Sequence, residues 1–280
     1  MVTKNAVVNG VNLVFDEVGT GPAVLLIHGF PLNRQMWRPQ LATLVAAGYR
    51  VIAPDLRGFG DSDVPDGAYS MDLFADDLVL LLDHLAIDQV IICGMSMGGY
   101  VLFNLLSRHP QRLSGAVCLV TRSTADDASG RERRYTMARE VGTYGPQAVA
   151  DRFHPLMFAA GTVAERPKLA EEVYGWMVAT ASQGLVGGLL AMAERPDVTG
   201  LLTGITCPTL VIAGEQDQIC PLEFAQMIVD GLPRAQLCSV PEAGHLANLE
   251  RPAQVNRCLL EFLRQIAPTE LNTDAVLCDC

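Results

Sequence analysis

Ser96 stands at the centre of Gly94-Met95-Ser96-Met97-Gly98, directly after the apolar run Gln89-Val90-Ile91-Ile92-Cys93. A strand, then G-x-S-x-G, then an apolar helix is the sequence form of a nucleophile elbow. Flanking glycines let the chain reverse tightly where any side chain would collide with neighbouring backbone. Such a turn lifts the serine hydroxyl clear of the sheet and starts a helix behind it. The N–H groups at that helix start can face a developing anion.

A serine hydroxyl is a weak nucleophile until a base removes its proton, and the base needs an acid to orient it. The chain has five histidines, His28, His84, His109, His154 and His245. His245 follows Pro241-Glu242-Ala243-Gly244, just beyond the last strand-like run, in a loop at the same sheet edge as Ser96. His84 lies in an apolar helix and His109 at a helix end, where structural roles are expected. His154, in Phe153-His154-Pro155, is a candidate substrate contact, with core or surface placement favoured. The acid candidate is Asp217, in Gly214-Glu215-Gln216-Asp217 after the run Thr209–Ala213. Glu215 is its local rival, and Asp126 or Asp127 after the preceding strand is another. A plain turn-forming role for Asp217 is the alternative to both.

The 280 residues must build a scaffold that brings these groups together. Half the residues are apolar and 18% are charged, enough for one large core with room for an inserted subdomain. A net charge of −11 disfavours nucleic acid and anionic membrane surfaces as partners. The N-terminus leads into a β-like segment without an apolar h-region, and no apolar stretch approaches the length of a membrane span. A soluble, cytoplasmic protein is expected. Strand-like runs at Val11–Asp16, Ala23–Ile27, Arg50–Ala53, Val90–Cys93, Gly115–Val120, Thr209–Ala213 and Gln236–Val240 alternate with amphipathic stretches. Helices are predicted over Met36–Ala47, Met71–Leu85, Met97–Arg108, Leu222–Gly231 and Ala253–Ile266. This alternation predicts a mostly parallel sheet flanked by helices.

From Arg122 to about Thr203 the strand rhythm stops. Helix-length segments punctuated by Gly145-Pro146, Gly161, Arg166-Pro167 and Gly184 replace it. The organisation that follows is a core of residues 1–121 and 204–268, with 122–203 as a helical cap over the sheet edge where ligands bind. A polar tail, 269–280, reads as disordered. Of the eight cysteines none forms a C-x-x-C pair. Cys93, Cys118 and Cys238 lie in or beside strands, where a free thiol acts as a small apolar residue, and reduced thiols are expected. Cys278 and Cys280 fall in the tail.

Five ordered motifs carry a resemblance that spans Val11 to Ile266. They are Leu26-Ile27-His28-Gly29-Phe30, Asp55-Leu56-Arg57-Gly58-Phe59-Gly60-Asp61-Ser62, the elbow, Gly214–Asp217, and Ala243-Gly244-His245. In these the chain resembles the α/β-hydrolase superfamily, in its branch of small serine esterases and enol-lactonases with a helical cap. The resemblance implies the α/β-hydrolase fold and the chain order nucleophile, acid, histidine, here Ser96, Asp217, His245. It implies an oxyanion hole from the N–H groups of Phe30 and Met97, since Pro31 has no N–H to offer. His28 and Asp55–Ser62 are then structural. The chemistry implied is hydrolysis of a small-molecule ester or lactone, with no cofactor or metal required. Serine at position 96 argues against the haloalkane dehalogenase and epoxide hydrolase branches, whose elbows carry aspartate. C–C hydrolase, acyltransferase and cofactor-free perhydrolase chemistry stay open, as does a small-molecule receptor on the same fold.

Arg122 is a second candidate substrate contact. It follows Leu119-Val120-Thr121, so it emerges at the sheet edge shared with Ser96, where a guanidinium could grip a carboxylate. The favoured alternative pairs Arg122 with Asp126 or Asp127 and leaves Arg131, Arg133, Arg134 and Arg139 on a solvated helix face.

Overall fold

Asn9 and Gly10, both at positive φ, turn the start of the chain into a hairpin. The computed structural model describes residues 2–266. Its first elements are β1 (Val2–Val8) and β2 (Val11–Val18). An alternating stretch follows: β3 (Ala23–Ile27), α1 (Arg38–Ala46), β4 (Arg50–Pro54), α2 (Met71–His84), β5 (Val90–Met95), α3 (Met97–Arg108) and β6 (Leu113–Leu119). Five helices then interrupt it: α4 (Ala128–Tyr144), α5 (Gln147–Met157), α6 (Thr162–Glu165), α7 (Pro167–Ala179) and α8 (Ser182–Ala193). The alternation resumes with β7 (Thr209–Gly214), α9 (Leu222–Gly231) and β8 (Ala235–Val240), and ends in α10 (Ala247–Glu250) and α11 (Pro252–Ile266).

The eight strands form one sheet in the order β1-β2-β4-β3-β5-β6-β7-β8. The β1/β2 and β2/β4 pairs are antiparallel, and every pair from β4 to β8 is parallel. β3 lies between β4 and β5, so the crossover direction reverses there. The loops after β3 and β5 therefore open a crevice at the carboxyl edge, where doubly wound sheets bind ligands. Register puts that edge in line: Ile27 pairs with Gly94, Met95 with Leu119, and Gly214 with Val240.

Burial explains why the central strands read as continuous apolar runs. Leu25, Ile27 and Ile92 face α2 and α3 on one side of the sheet. Val24, Leu26, Ile91 and Cys93 face α1 and α11 on the other. Both faces are covered, so no polar alternation survives. Among the described residues, no single helix is long and apolar enough to cross a membrane.

Three expectations differ from the structure. The helix predicted from Met36 begins as a 3₁₀ turn over Arg34–Trp37, and α1 proper starts at Arg38. Pro39 has no N–H and must sit in a first turn, which sets that start. Gly184 does not separate two helical segments but lies within α8. A Cβ there would meet the Gly58 carbonyl oxygen at 1.7 Å, so glycine lets α8 press onto the loop after β4. The N-terminal segment is β-structured as expected, forming the edge strand β1. Finally, Cys238 is not a free thiol: it is bonded to Cys258, joining β8 to α11 with a Cα–Cα separation of 6.5 Å. Their 20-residue separation holds no sequence motif, and only the packing of α11 beside β8 brings them together. Cys93, Cys118, Cys207 and Cys220 are free. The tail 269–280, with Cys278 and Cys280, lies outside the described residues.

Candidate active site

At the elbow, Ser96 adopts φ 52° and ψ −112°, a left-handed backbone that non-glycine residues rarely occupy. Surrounding structure must enforce it. The Ser96 N–H donates to Leu119 O at 3.0 Å, and Ser96 O accepts from Gly99 N–H at 2.9 Å. Thr121 adds a third tie, its hydroxyl donating to Ser96 O at 2.8 Å. Val120, just before it, is itself at positive φ, which turns β6 so that Thr121 can reach the elbow. The glycines are needed for space: a Cβ on Gly94 would lie 2.3 Å from Gly98 O, and one on Gly98 would lie 2.3 Å from Ile27 O.

Ser96, His245 and Asp217 come together although they sit on three different loops. Ser96 Oγ lies 2.9 Å from His245 Nε2, and His245 Nδ1 lies 2.8 Å from Asp217 Oδ2. An ionised carboxylate only accepts, so Nδ1 carries the proton and donates to Asp217. Nε2 is then free to accept from the Ser96 hydroxyl. The second Asp217 oxygen accepts from the N–H groups of Ile219 at 2.8 Å and Cys220 at 2.9 Å. Burial alone would raise the Asp217 pKa. The charge of His245 and its hydrogen bond, with those two amides, outweigh burial and hold the carboxyl below its ordinary range. Asp217 therefore stays ionised throughout the range in which histidine acts as a base. Ser96 is 8% exposed and His245 1%, so the relay is largely shielded from water.

The rival acids are occupied elsewhere. Glu215 accepts from the Ser239 hydroxyl at 2.8 Å on the exposed side of β8. Asp126 pairs with Arg122, Arg134 and Arg195. Asp127 caps α4 by accepting from Gly130 N–H at 2.6 Å.

The N–H groups of Phe30 and Met97 take no part in the hydrogen-bond network of the described residues. That is the condition an oxyanion donor must meet. The Phe30 ring sits edge-on to Phe59 and to Phe153 of α5, which seats α5 on this loop. His28 braces the same loop from below. Its Nδ1 lies 2.9 Å from Gly29 O, and its Nε2 accepts from Leu56 N–H at 3.0 Å. Asp55 completes the brace by accepting from the backbone N–H and the guanidinium of Arg34.

His28 is fully buried, and burial lowers its pKa from the ordinary value of 6.5, against the opposing pull of Asp55. A depressed histidine contributes stability that is complete above about pH 6.5 and is lost as pH falls towards the folded-state value. The thermal midpoint is therefore expected to fall between pH 6.5 and 5. In His28→Gln, which cannot titrate, that fall should be shallower although the midpoint at pH 8 is lower. Parallel profiles for the two proteins would remove His28 as the cause.

The structure does not bring Arg122 or His154 to Ser96. Arg122 donates to Asp126 and lies over the Phe224 ring at 5.3 Å. The cavity it lines, about 210 Å³, runs beside α3 past Tyr100 and Phe103, and none of Ser96, Asp217 and His245 lines it. His154 Nε2 lies 2.9 Å from Ala170 O, and its ring packs between Phe158 and Tyr174, joining α5 to α7. Sequence reasoning missed the Thr121 tie, because a threonine at a strand end carries no distinguishing signal. One group of potential metal ligands, Asp217, Cys220 and His245, has donor atoms within 4.8 Å of one another. Burial pushes the Cys220 thiol up to about 12, and an ion there would take both the acid and the base out of the relay.

A family model described as alpha/beta hydrolase fold matches residues 22–252. The chain is 32% identical over 245 residues to 3-oxoadipate enol-lactonase 2 of Acinetobacter baylyi, covering 87% of this chain and 89% of that one. Its fold superposes on the malate-bound structure of a thermophilic esterase from Thermogutta terrifontis with a TM-score of 0.92. That pair is 36% identical, with 96% of this chain and 100% of the other covered. A bromoperoxidase structure from Bacillus anthracis gives a TM-score of 0.85 at 27% identity, covering 94% and 100% of the two chains.

Proposed function

The chain belongs to the α/β-hydrolase family, and on that premise we propose that it is a serine hydrolase cleaving a small carboxylic ester or lactone. The observation that carries this reading is the unbroken Asp217–His245–Ser96 relay, at 2.8 and 2.9 Å, beside two unengaged amides. Likeness to an esterase and an enol-lactonase supports the choice of an ester or lactone as the substrate class.

In this reading His245 Nε2 takes the Ser96 proton as Oγ attacks the carbonyl carbon, and the Phe30 and Met97 N–H groups receive the negative charge. His245, now doubly protonated, returns the proton to the departing alkoxide. For a lactone that alkoxide stays attached to the acyl chain. Water then repeats the sequence: His245 takes its proton, hydroxide attacks the acyl carbon, and Ser96 Oγ leaves with the proton. Asp217 holds the ring and stabilises the imidazolium at both stages. The cap, closed over Ser96 through Phe153 and Phe30, keeps bulk water out and shapes the pocket for the acyl and alcohol groups.

Likeness to the bromoperoxidase supports a second reading, in which hydrogen peroxide replaces water in the second half and the acyl group leaves as a peracid. Both readings share the acyl-enzyme. Short-chain nitrophenyl esters and a panel of lactones, with and without hydrogen peroxide, test them together. Turnover well above the buffer rate, preceded by a burst of one nitrophenolate per chain, is expected. Tight binding without turnover would instead make the protein a small-molecule receptor.

A further inference from the structure

Glu250 is 2% exposed, and no lysine, arginine or histidine pairs with its carboxylate among the described residues. A buried carboxylate without a counter-ion is costly unless hydrogen bonds replace the lost water. Three donors do so, all at 2.8 Å. Gly244 N–H donates to Oε1, while Ala159 N–H and the Thr162 hydroxyl donate to Oε2. Gly244 immediately precedes His245. Ala159, in the segment joining α5 to α6, and Thr162, the first residue of α6, both belong to the cap. One side chain therefore spans the histidine loop and the cap, one oxygen to each.

The neighbourhood repeats this coupling. Leu246 N–H, on the other side of His245, donates to Met157 O at 3.0 Å. Ala160 N–H donates to the side chain of Gln216, the residue before Asp217, at 3.1 Å. The cap backbone approaches so closely that a Cβ on Gly244 would lie 2.5 Å from Ala159 N. By contrast, no hydrogen bond from Glu250 reaches Ser96, Asp217 or His245, so it does not take part in proton transfer.

We propose that Glu250 is a positioning residue for His245: its carboxylate fastens the Gly244–His245 peptide to cap segment 157–162, so that a seated cap and an aligned base are one state. The inference rests on the serine-hydrolase reading. Misplacing a catalytic group by about 1 Å can cost on the order of 10²-fold in rate. Gln is the informative substitution, because its amide presents one acceptor and one donor. In either orientation its oxygen serves one side only, and its NH₂ faces a backbone N–H donor on the other, that of Gly244 or of Ala159.

The test uses a fluorophosphonate that labels Ser96 covalently. It counts competent sites by labelling amplitude and reads His245-assisted reactivity by labelling rate. Glu250→Gln is expected to lower kcat per labelled site and the labelling rate together, by about 10- to 100-fold, with KM within about threefold of wild type. A merely structural role would lower the amplitude and the thermal midpoint while each remaining site kept its full rate, and that result would overturn the proposal. Should Glu250→Gln fail to fold, Thr162→Val removes one cap-side donor. A fall of about threefold or more in its per-site rate is expected, and an unchanged rate overturns the inference. If Ser96→Ala matches wild-type turnover, the serine-hydrolase reading itself fails, and this one falls with it.

Discussion

Ser96→Ala is expected to abolish ester turnover, with a loss in kcat on the order of 10⁴-fold or more and little change in stability. In the proposed mechanism the substitution removes the oxygen that forms the acyl-enzyme. What remains is the amides of Phe30 and Met97 acting on water, and such residual catalysis is far below that of an intact triad. Folding should survive because the Ser96 hydroxyl bonds only His245 Nε2, whereas the elbow is held through the Ser96 backbone by Leu119, Gly99 and Thr121. Alanine meets the same positive φ as serine, so no strain is added. Steady-state hydrolysis of a nitrophenyl ester, with thermal unfolding of the same preparation, measures both parts. A variant keeping even a tenth of the wild-type rate would show that the nucleophile is not at the elbow.

Asp217→Asn should be nearly as damaging, on the order of 10⁴-fold in kcat. The asparagine amide can satisfy His245 Nδ1 as acceptor or as donor. If it donates, the imidazole proton moves to Nε2, which can no longer accept from Ser96. Even when it accepts, the charge that stabilises the imidazolium is gone. Asp126→Asn provides the contrast. Asp126 is buried among Arg122, Arg134 and Arg195, which hold its carboxyl well below the ordinary range against the cost of burial. Its neutralisation leaves guanidinium groups without their counter-charge, a defect that costs on the order of 3 kcal/mol in buried pairs. Asp126→Asn is thus expected to lower the thermal midpoint while retaining most of the activity. Asp217→Asn is expected to do the reverse. If the two phenotypes were exchanged, the acid would come from the end of β6 rather than β7.

Much of this site was legible in local sequence because its parts are backbone conformations. A serine held between Gly94 and Gly98 after an apolar strand has few alternatives to a tight strand-to-helix turn, and α3 spans Met97–Arg108 as the sequence predicts. The helix after Pro221 likewise runs over Leu222–Gly231. Alternation of apolar runs with amphipathic stretches determined the parallel sheet, and a parallel sheet places every loop after a strand at one edge. Ser96, Asp217 and His245 could therefore be assigned to a common edge from chain order alone.

What chain order left open was which side chains meet across that edge. Asp217, Glu215 and Asp126 all follow strands that end there, and their residue types do not separate them. The direction of each side chain does: Glu215 turns to Ser239 and Asp126 to three arginines, while Asp217 reaches a histidine 28 positions away. Arg122 is drawn from the Ser96 side by Asp126. Cys258 reaches Cys238 only because α11 packs beside β8, and Glu250 finds two of its three donors, Ala159 and Thr162, about 90 positions earlier in the chain. Backbone form is set by steric and hydrogen-bonding preferences within a few residues, and a single sequence displays them. Partner choice depends on distances between elements far apart along the chain, and those exist only once packing has fixed every rotamer at the shared edge.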